Sequence, residues 1–337
     1  MSVDNSSESL PSEHRVESEY QSINQDEVKS IINPHVVDEL DSILDWVRYS
    51  VSVFYQAGVF FGHGTDNEWD EACSLVYQAA NVPLDTAPLR QELLYQAKLT
   101  KDEKARIIDW LQQRVELQRP LPYITNQAWF AGMPFYVDER VLIPRSPFAE
   151  LIQQGFKPWL SSSPSHILDL CTGGACIAIA LADSFEDAIV DGADIDSDAL
   201  DVASMNIYEY QLEDRVFPLQ SDLFAGLEGQ RYDLIVSNPP YVDQQDMDDL
   251  PDEFRHEPEH ALAAGVDGLD LVDIMLKQAP NYMQDQAWIF VEVGNSEVHM
   301  TTRFPGLEVE WVELSSGGSG IFAVQKEVLQ AYWSSVE

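Results

Sequence analysis

The amino-acid sequence predicts an α/β protein: a doubly wound, mostly parallel sheet, preceded by a small helical region and a β-hairpin. Three observations support that class. From residue 146 onward, apolar runs of strand length alternate with segments whose apolar residues recur at helical spacing, and such alternation builds parallel sheets covered by helices. Before residue 120, only the helical spacing occurs. The first strand of the second half runs straight into a turn of small residues, Cys171-Thr172-Gly173-Gly174-Ala175-Cys176, and that turn opens a helix.

The elements follow in chain order. Residues 1–30 are polar, acidic and aperiodic, and are expected to form a disordered arm. Residues 31–120 are expected to form a helical domain. Val36, Leu40, Ile43, Leu44, Val47, Val51 and Phe54 share one helix face, and Gly58 stops that helix. Trp69, Ala72, Cys73, Val76 and Ala80 mark a second helix, ending near Pro83. A third starts with Thr100-Lys101-Asp102-Glu103, the pattern of a capping box; its apolar face is Ile107, Ile108, Leu111 and Val115, and Pro120 closes it. His63, between Gly62 and Gly64, reads as a turn or packing residue. This region shows no chemistry, so its expected task is substrate recognition, with plain support as the alternative. Residues 121–145 change period and read as a β-hairpin linker, with short strands at 128–130, 135–137 and 141–143.

The remaining domain, 146–337, carries strands at 166–171, 188–195, 216–220, 232–236 and 288–293. Helices are expected from 176, around 199–206 and at 269–276. The tail pairs 307–314 with 321–325 as an antiparallel hairpin. Gly317-Gly318-Ser319-Gly320 between them reads as its turn rather than as a phosphate cradle.

The chain has 337 residues, 58 acidic against 19 basic side chains and a formal charge of −39. Such acidity argues against direct binding to a nucleic-acid backbone. It suits a solvated surface, or steering toward a basic partner. No run is long and apolar enough for a membrane helix. The start lacks the features of a secretory signal, and the three cysteines make no disulfide framework. A cytoplasmic protein is expected.

The chemistry is expected at strand ends. Open α/β sheets bind ligands at the carboxyl ends of their strands. A small-residue turn followed about twenty residues later by an acid, here Gly174 and Asp194, suits an adenosine-containing cofactor whose ribose the acid binds. The turn lacks the G-x-G-x-x-G pattern of dinucleotide sites. A cofactor without phosphates is favoured, and S-adenosylmethionine is one. Asp169 would sit beside its amino-acid end, and Asp222 beside its adenine. The fourth strand ends in Ser237-Asn238-Pro239-Pro240-Tyr241, which is either a turn that merely stops a strand or a site. As a site, the Asn238 side-chain oxygen and the Pro239 carbonyl can accept both hydrogens of a planar –NH2 group, while Tyr241 stacks on its face.

Asp169-Leu170-Cys171-Thr172-Gly173, followed by Ser237-Asn238-Pro239-Pro240-Tyr241, resembles the protein-glutamine N-methyltransferases, a class I S-adenosylmethionine-dependent family. The resemblance implies a helical N-terminal domain, a β-hairpin and a Rossmann-like seven-stranded methyltransferase domain. Leu142-Ile143-Pro144-Arg145-Ser146-Pro147, the stretch Leu250-Pro251-Asp252-Glu253-Phe254-Arg255-His256-Glu257-Pro258, and Glu292-Val293-Gly294-Asn295-Ser296 are similar to the branch that methylates large-subunit ribosomal protein uL3. The release-factor branch continues Ile-Pro-Arg with Pro-Asp-Thr-Glu, which this chain lacks. By resemblance, the cofactor site comprises Asp169, Gly173, Asp194, Asp222 and Asn238. The implied catalytic residues are Asn238, Pro239 and Tyr241, and the implied substrate site is Asn238, Pro239, Pro240 and Tyr241, with Arg145 and Phe148 supporting the site. The implied reaction is direct methyl transfer to a glutamine amide nitrogen of uL3, with no metal. One departure is Ala175, where the family turn commonly places Gly; Ala disfavours positive φ. Alternatives are a release-factor glutamine methyltransferase, a nucleic-acid adenine methyltransferase and a non-catalytic ribosome assembly factor. His256-Glu257-Pro258-Glu259-His260 spells H-E-x-x-H, but Pro258 breaks the helix that a zinc site needs.

Overall fold

A computed structural model describes residues 31–84, 88–315 and 320–336. The arm expected at 1–30 and most of the turn at 316–319 lie outside the described residues.

The N-terminal region is helical. Its first expected helix is shorter than the apolar spacing suggests. Val36 belongs to a 3-10 turn, Pro34–Asp38, and the α-helix, α1, covers Ile43–Ala57. Ser42 explains the break: its hydroxyl caps Asp45 N–H while Asp45 answers to the Ser42 backbone, a reciprocal cap that sets the first turn. Gly58 ends the helix in the left-handed conformation, as expected. Helix α2 is Glu68–Ala79, α3 is Pro88–Tyr95, and α4, Lys101–Glu116, starts with the expected Thr100–Glu103 capping box. The spacing gave no signal for α3. Trp46, Val47, Phe54, Leu75, Val76, Ile107 and Leu111 form the core of this bundle.

Residues 121–145 differ from the expected three-stranded pattern. They open with a short helix, α5, Leu121–Thr125. Strand β1, Ala128–Phe130, then pairs antiparallel with β2, Met133–Phe135, which begins two residues before its expected place. Residues 141–143 form no strand; Val141 and Ile143 are buried in an irregular stretch that leads to α6, Phe148–Gln153.

The seven-stranded sheet is the scaffold of the rest. Its strands are β3 (His166–Leu170), β4 (Ile189–Asp194), β5 (Val216–Gln220), β6 (Tyr232–Ser237), β7 (Met283–Glu292), β8 (Glu310–Trp311) and β9 (Ile321–Gln325). The order is β5-β4-β3-β6-β7-β9-β8, with β9 antiparallel to both of its neighbours. Helix α7 (Cys176–Ser184) links β3 to β4, and α8 (Ser197–Glu209) links β4 to β5. Helices α9 (Gln244–Asp249) and α10 (Asp270–Gln278) precede β7, α11 (Glu297–Arg303) follows it, and α12 (Lys326–Val336) ends the described chain. The expected tail strand at 307–314 is only two residues long, and α12 was not foreseen.

Both sheet faces are covered, and residue alternation sorts the core between them. Ile167, Val190, Leu234, Val236 and Phe290 pack with α6 and α7 on one face. Leu168, Leu170, Ile235, Ile289 and Val291 pack with α10 on the other. The chain runs β3, β4, β5 to one edge, then returns to β6 on the far side of β3. The β3/β6 boundary is therefore a topological switch point, where a crevice opens at the strand ends.

Candidate active site

Strand register brings the sequence-expected residues to one edge. Leu170 pairs with Ala193 on one side and Ser237 on the other, and Asp194 pairs with Gln220. The residues that follow, 171–175, 195–196, 221–222 and 238–241, therefore emerge together. Their crevice encloses ≈ 790 Å³, part of it open solvent, and Gly173, Asp194, Asp222 and Asn238 all line it. Val141, Leu142, Ile195, Leu223 and Leu271 supply apolar walls.

The turn after β3 has three residues with positive φ: Cys171 (63°), Gly173 (54°) and Ala175 (62°). Ala175 thus takes the left-handed conformation that its chemistry disfavours, and serves as the N-cap of α7. The turn is held from two directions. Gly173 N–H donates to Asp194 Oδ2 at 2.8 Å, and a Cβ on Gly173 would project into open space. Asp169 acts from below: its Oδ2 accepts from Thr172 Oγ1 at 2.6 Å and from Ala178 N–H at 3.0 Å. Asp169 is fully buried and is not among the residues lining the crevice. Alternation along β3 turns it toward α7 rather than outward. Burial pushes its carboxyl up to about 7, against the two hydrogen bonds that favour the charged form. Its Oδ1 is buried without a partner.

Asp194 is likewise raised by burial, and its two oxygens accept from the backbone N–H groups of Gly173 and Asp196. Each oxygen keeps a second lone pair. Asp222 stands exposed at the end of β5. His260 Nε2 lies 3.0 Å from Asp196 Oδ2 across the rim of the crevice.

Asn238 and Pro240 face the crevice, while Tyr241 leaves it. The Tyr241 hydroxyl donates to Glu292 Oε1 at 3.0 Å, and its carbonyl accepts from Ser296 Oγ at 2.9 Å. Gly294, at φ 46°, lies under the ring: a Cβ there would come within 2.5 Å of it. The stretch 292–296 thus holds the aromatic residue of the turn.

A family model described as "Methyltransferase small domain" matches residues 155–297. The "Ribosomal protein uL3 glutamine methyltransferase" of Francisella tularensis is 46% identical over 299 residues, covering 88% of this chain and 94% of that protein. The protein of the same name from Xanthomonas campestris is 46% identical over 296 residues, with the same coverage. This chain belongs to that methyltransferase family. Among solved structures, the hMettl16 catalytic domain in complex with MAT2A 3'UTR hairpin 6 gives a TM-score of 0.44 at 16% identity, covering 66% of this chain and 80% of that one.

The methyltransferase carries a strap that its motifs did not foretell. Residues 250–261 follow α9, cross to the helical region and return to the crevice. Two 3-10 turns, Asp252–His256 and Glu259–Ala261, flank Pro258. The H-E-x-x-H letters therefore fall on no continuous helix, and their side chains diverge. His256 Nε2 lies 2.9 Å from the Leu117 carbonyl, and His260 meets Asp196. Glu257 forms a two-pronged pair with Arg145, at 2.6 and 2.8 Å, and accepts from Ile143 N–H. Burial opposes the charge on Glu257, but His63 and Arg145 outweigh it and bring the carboxyl down to about 2. No group of three or more metal-ligand side chains occurs among the described residues.

Arg145 is thus a strap anchor, and its guanidinium lies 5.3 Å from the centre of the Phe254 ring. Phe148, the first residue of α6, is a fully buried core residue. Phe254 also packs on His63, with ring centres 4.5 Å apart, and on Phe60 at 5.7 Å. His63 is buried, in keeping with a packing residue. Arg114 of α4 completes the anchor, donating to Glu71, to Glu253 and to the Phe60 carbonyl. Sequence reading missed Arg114, Glu253 and Glu257 as a set. The only available signal was charged residues at apolar-face positions, such as Arg114 beside Val115 in α4.

Proposed function

We propose that this protein transfers a methyl group from S-adenosylmethionine to the side-chain amide nitrogen of a glutamine in large-subunit ribosomal protein uL3. The observation that carries this reading is the 46% identity over 88% of the chain to proteins bearing that name. The placement of Asn238 beside the Gly173 turn supports it.

The crevice fits the cofactor. Open space above Gly173 accommodates close approach, and the unpartnered Asp169 Oδ1 lies buried below the turn. Asp194 has lone pairs for ribose hydroxyls, and Asp222 can accept from the adenine amino group. Leu142, Ile195 and Leu223 offer an apolar bed. The acids suit a cationic ligand. Bound there, the cofactor supplies an electrophilic methyl group on a positively charged sulfur.

The chain's own residues orient the nucleophile. The Asn238 side-chain oxygen and the Pro239 carbonyl accept the two N–H bonds of the glutamine amide. Pro239 and Pro240 keep that corner rigid. Tyr241 packs on the amide plane. Acceptors on both hydrogens keep electron density on nitrogen as its bond to the methyl carbon would form and the carbon–sulfur bond would break, one of the two hydrogens then leaving as a proton, and fixed geometry lowers the entropic barrier. The helical region and the acidic surface recognise the basic ribosomal protein, with no nucleic acid required. Among the described residues, no helix is long and apolar enough to cross a membrane. The cytoplasm, where ribosomal proteins are made, is the expected compartment.

The test is transfer of labelled methyl from S-adenosylmethionine, offered uL3, release factor and DNA separately, with the modified residue mapped by mass spectrometry. Label on a glutamine of uL3 alone is the expected outcome. Label on release factor would reassign the substrate, and label on DNA would overturn the reading. Asn238→Ala should still bind cofactor yet turn over about 100-fold more slowly.

A further inference from the structure

We propose that Glu292 is a positioning residue of the reaction: its buried carboxylate fixes the Tyr241 ring at the angle from which it meets the substrate amide. The inference rests on the reading of Asn238-Pro239-Pro240-Tyr241 given above.

Glu292 ends β7 and is only 4% exposed. It does not line the cofactor crevice. One oxygen accepts from Tyr241 Oη at 3.0 Å and the other from Ser146 Oγ at 2.5 Å. Ser146 in turn accepts from Phe148 N–H, at the entry to α6. A single carboxylate thus ties together three separate segments: the Asn238 turn, the end of β7 and the junction that follows residue 145. Among the described residues, no cation lies within ion-pair distance of it, because Arg145 is engaged by Glu257.

Such a group is a poor choice for stability. Burial disfavours its charge, and the hydrogen bonds from Ser146 and Tyr241 together with the more distant Arg145 charge offset that only in part. An apolar side chain of similar length would cost less. What the carboxylate does that an apolar group cannot is accept from two hydroxyls at once. Tyr241 has two side-chain torsions. Gly294 blocks its ring on one side and Ser296 anchors its carbonyl, so the hydroxyl is the remaining lever. With the hydroxyl held, the ring cannot swing away from the acceptors contributed by Asn238 and Pro239. A small error in that angle misaligns the amide with the methyl donor, and rate is sensitive to such errors.

The experiment compares Glu292→Met, Glu292→Gln, Tyr241→Phe and the double variant Glu292→Met/Tyr241→Phe, with Asn238→Ala alongside. Steady-state methylation of uL3, calorimetric binding of S-adenosylmethionine and Tm are measured for each. The expected result is a fall in kcat of about 10- to 100-fold for Glu292→Met. Its Tm should fall by no more than about 4 °C, since removing the buried charge offsets the two hydroxyls left without an acceptor, with cofactor Kd within about twofold. Glu292→Gln, which keeps one acceptor, should lie between. The double variant should be no slower than the slower single variant, because both changes remove one interaction. Wild-type kcat in Glu292→Met, or losses that multiply in the double variant, would overturn the proposal. So would a low Tm with normal kcat per folded molecule, the signature of a purely structural group. Should Glu292→Met not fold, Tyr241→Phe decides: unchanged kcat overturns the proposal. If Asn238→Ala turns over like wild type, the reading of the whole turn falls and takes this inference with it. If Asn238→Ala is impaired and Glu292→Met is not, only this inference falls.

Discussion

Asp169 illustrates how a residue can be found by sequence and still be misplaced. The pattern of an acid just before a small-residue turn marks it as part of the cofactor region, and it does contact that turn. Alternation along β3, however, puts it on the same face as Ile167, under the turn, where it bonds Thr172 and the Ala178 backbone. A one-dimensional pattern gives proximity to the turn but not which side of it. Asp194, Asp222 and Asn238 were legible because each ends a strand, where side chains have few places to go. Glu292 was legible as part of a motif, but not as a partner of Tyr241, which is distant in sequence. Asp169 also gives a pH prediction. Its folded pKa, near 7, lies above the usual carboxylate value. The stability it contributes is full below the unfolded pKa and is lost as pH rises through the folded one. Asp169→Asn should therefore gain on wild type between pH 5 and pH 8, by at least about 1 kcal/mol, in denaturant titrations without cofactor. Parallel pH profiles would contradict the buried placement.

Among the elements, strap 250–261 is the one whose role the sequence concealed. Its residues looked like a family signature with a false zinc motif inside. Their partners are Arg114, Leu117 and Asp196, each far away in sequence, so no local period betrays them. Local signals served well elsewhere: a capping box gave the start of α4, and short apolar runs gave the central strands. They failed for α3 and α12. Two consequences belong to the strap. Arg114→Met leaves Glu71 and Glu253 buried without their cation, and should cost about 3–5 kcal/mol, read as a drop in the urea midpoint. Glu257, held near 2, contributes stability that is full above its unfolded pKa and lost as pH falls through the folded value. Acid titration should therefore show a loss between about pH 4.5 and pH 2 that Glu257→Gln lacks. The same acid limb in both proteins would mean that Arg145 does not hold Glu257 as described.

For the whole molecule, the net charge of −39 sets the tone. Like charges at this density repel one another in the folded state. Raising sodium chloride from about 20 mM to about 500 mM shortens the screening length from roughly 20 Å to about 4 Å. Tm should then rise by at least about 2 °C in scanning calorimetry; a fall would show that the ion pairs outweigh the repulsion. The doubly wound sheet and the placing of the crevice at its strand ends were legible because βα alternation admits few topologies. The relation between the helical region and the sheet was not, because it rests on single buried side chains. That relation bears on inheritance and on engineering. The strap follows the Asn238 turn after one short helix, yet Glu253 and His256 end on the helical region, where Arg114 and Leu117 wait for them. The unit that can be traded between relatives is therefore not a stretch of continuous chain. A hybrid that takes its first 120 residues from one homologue must take residues 250–261 from the same source, or its catalytic corner will be moored to the wrong shore.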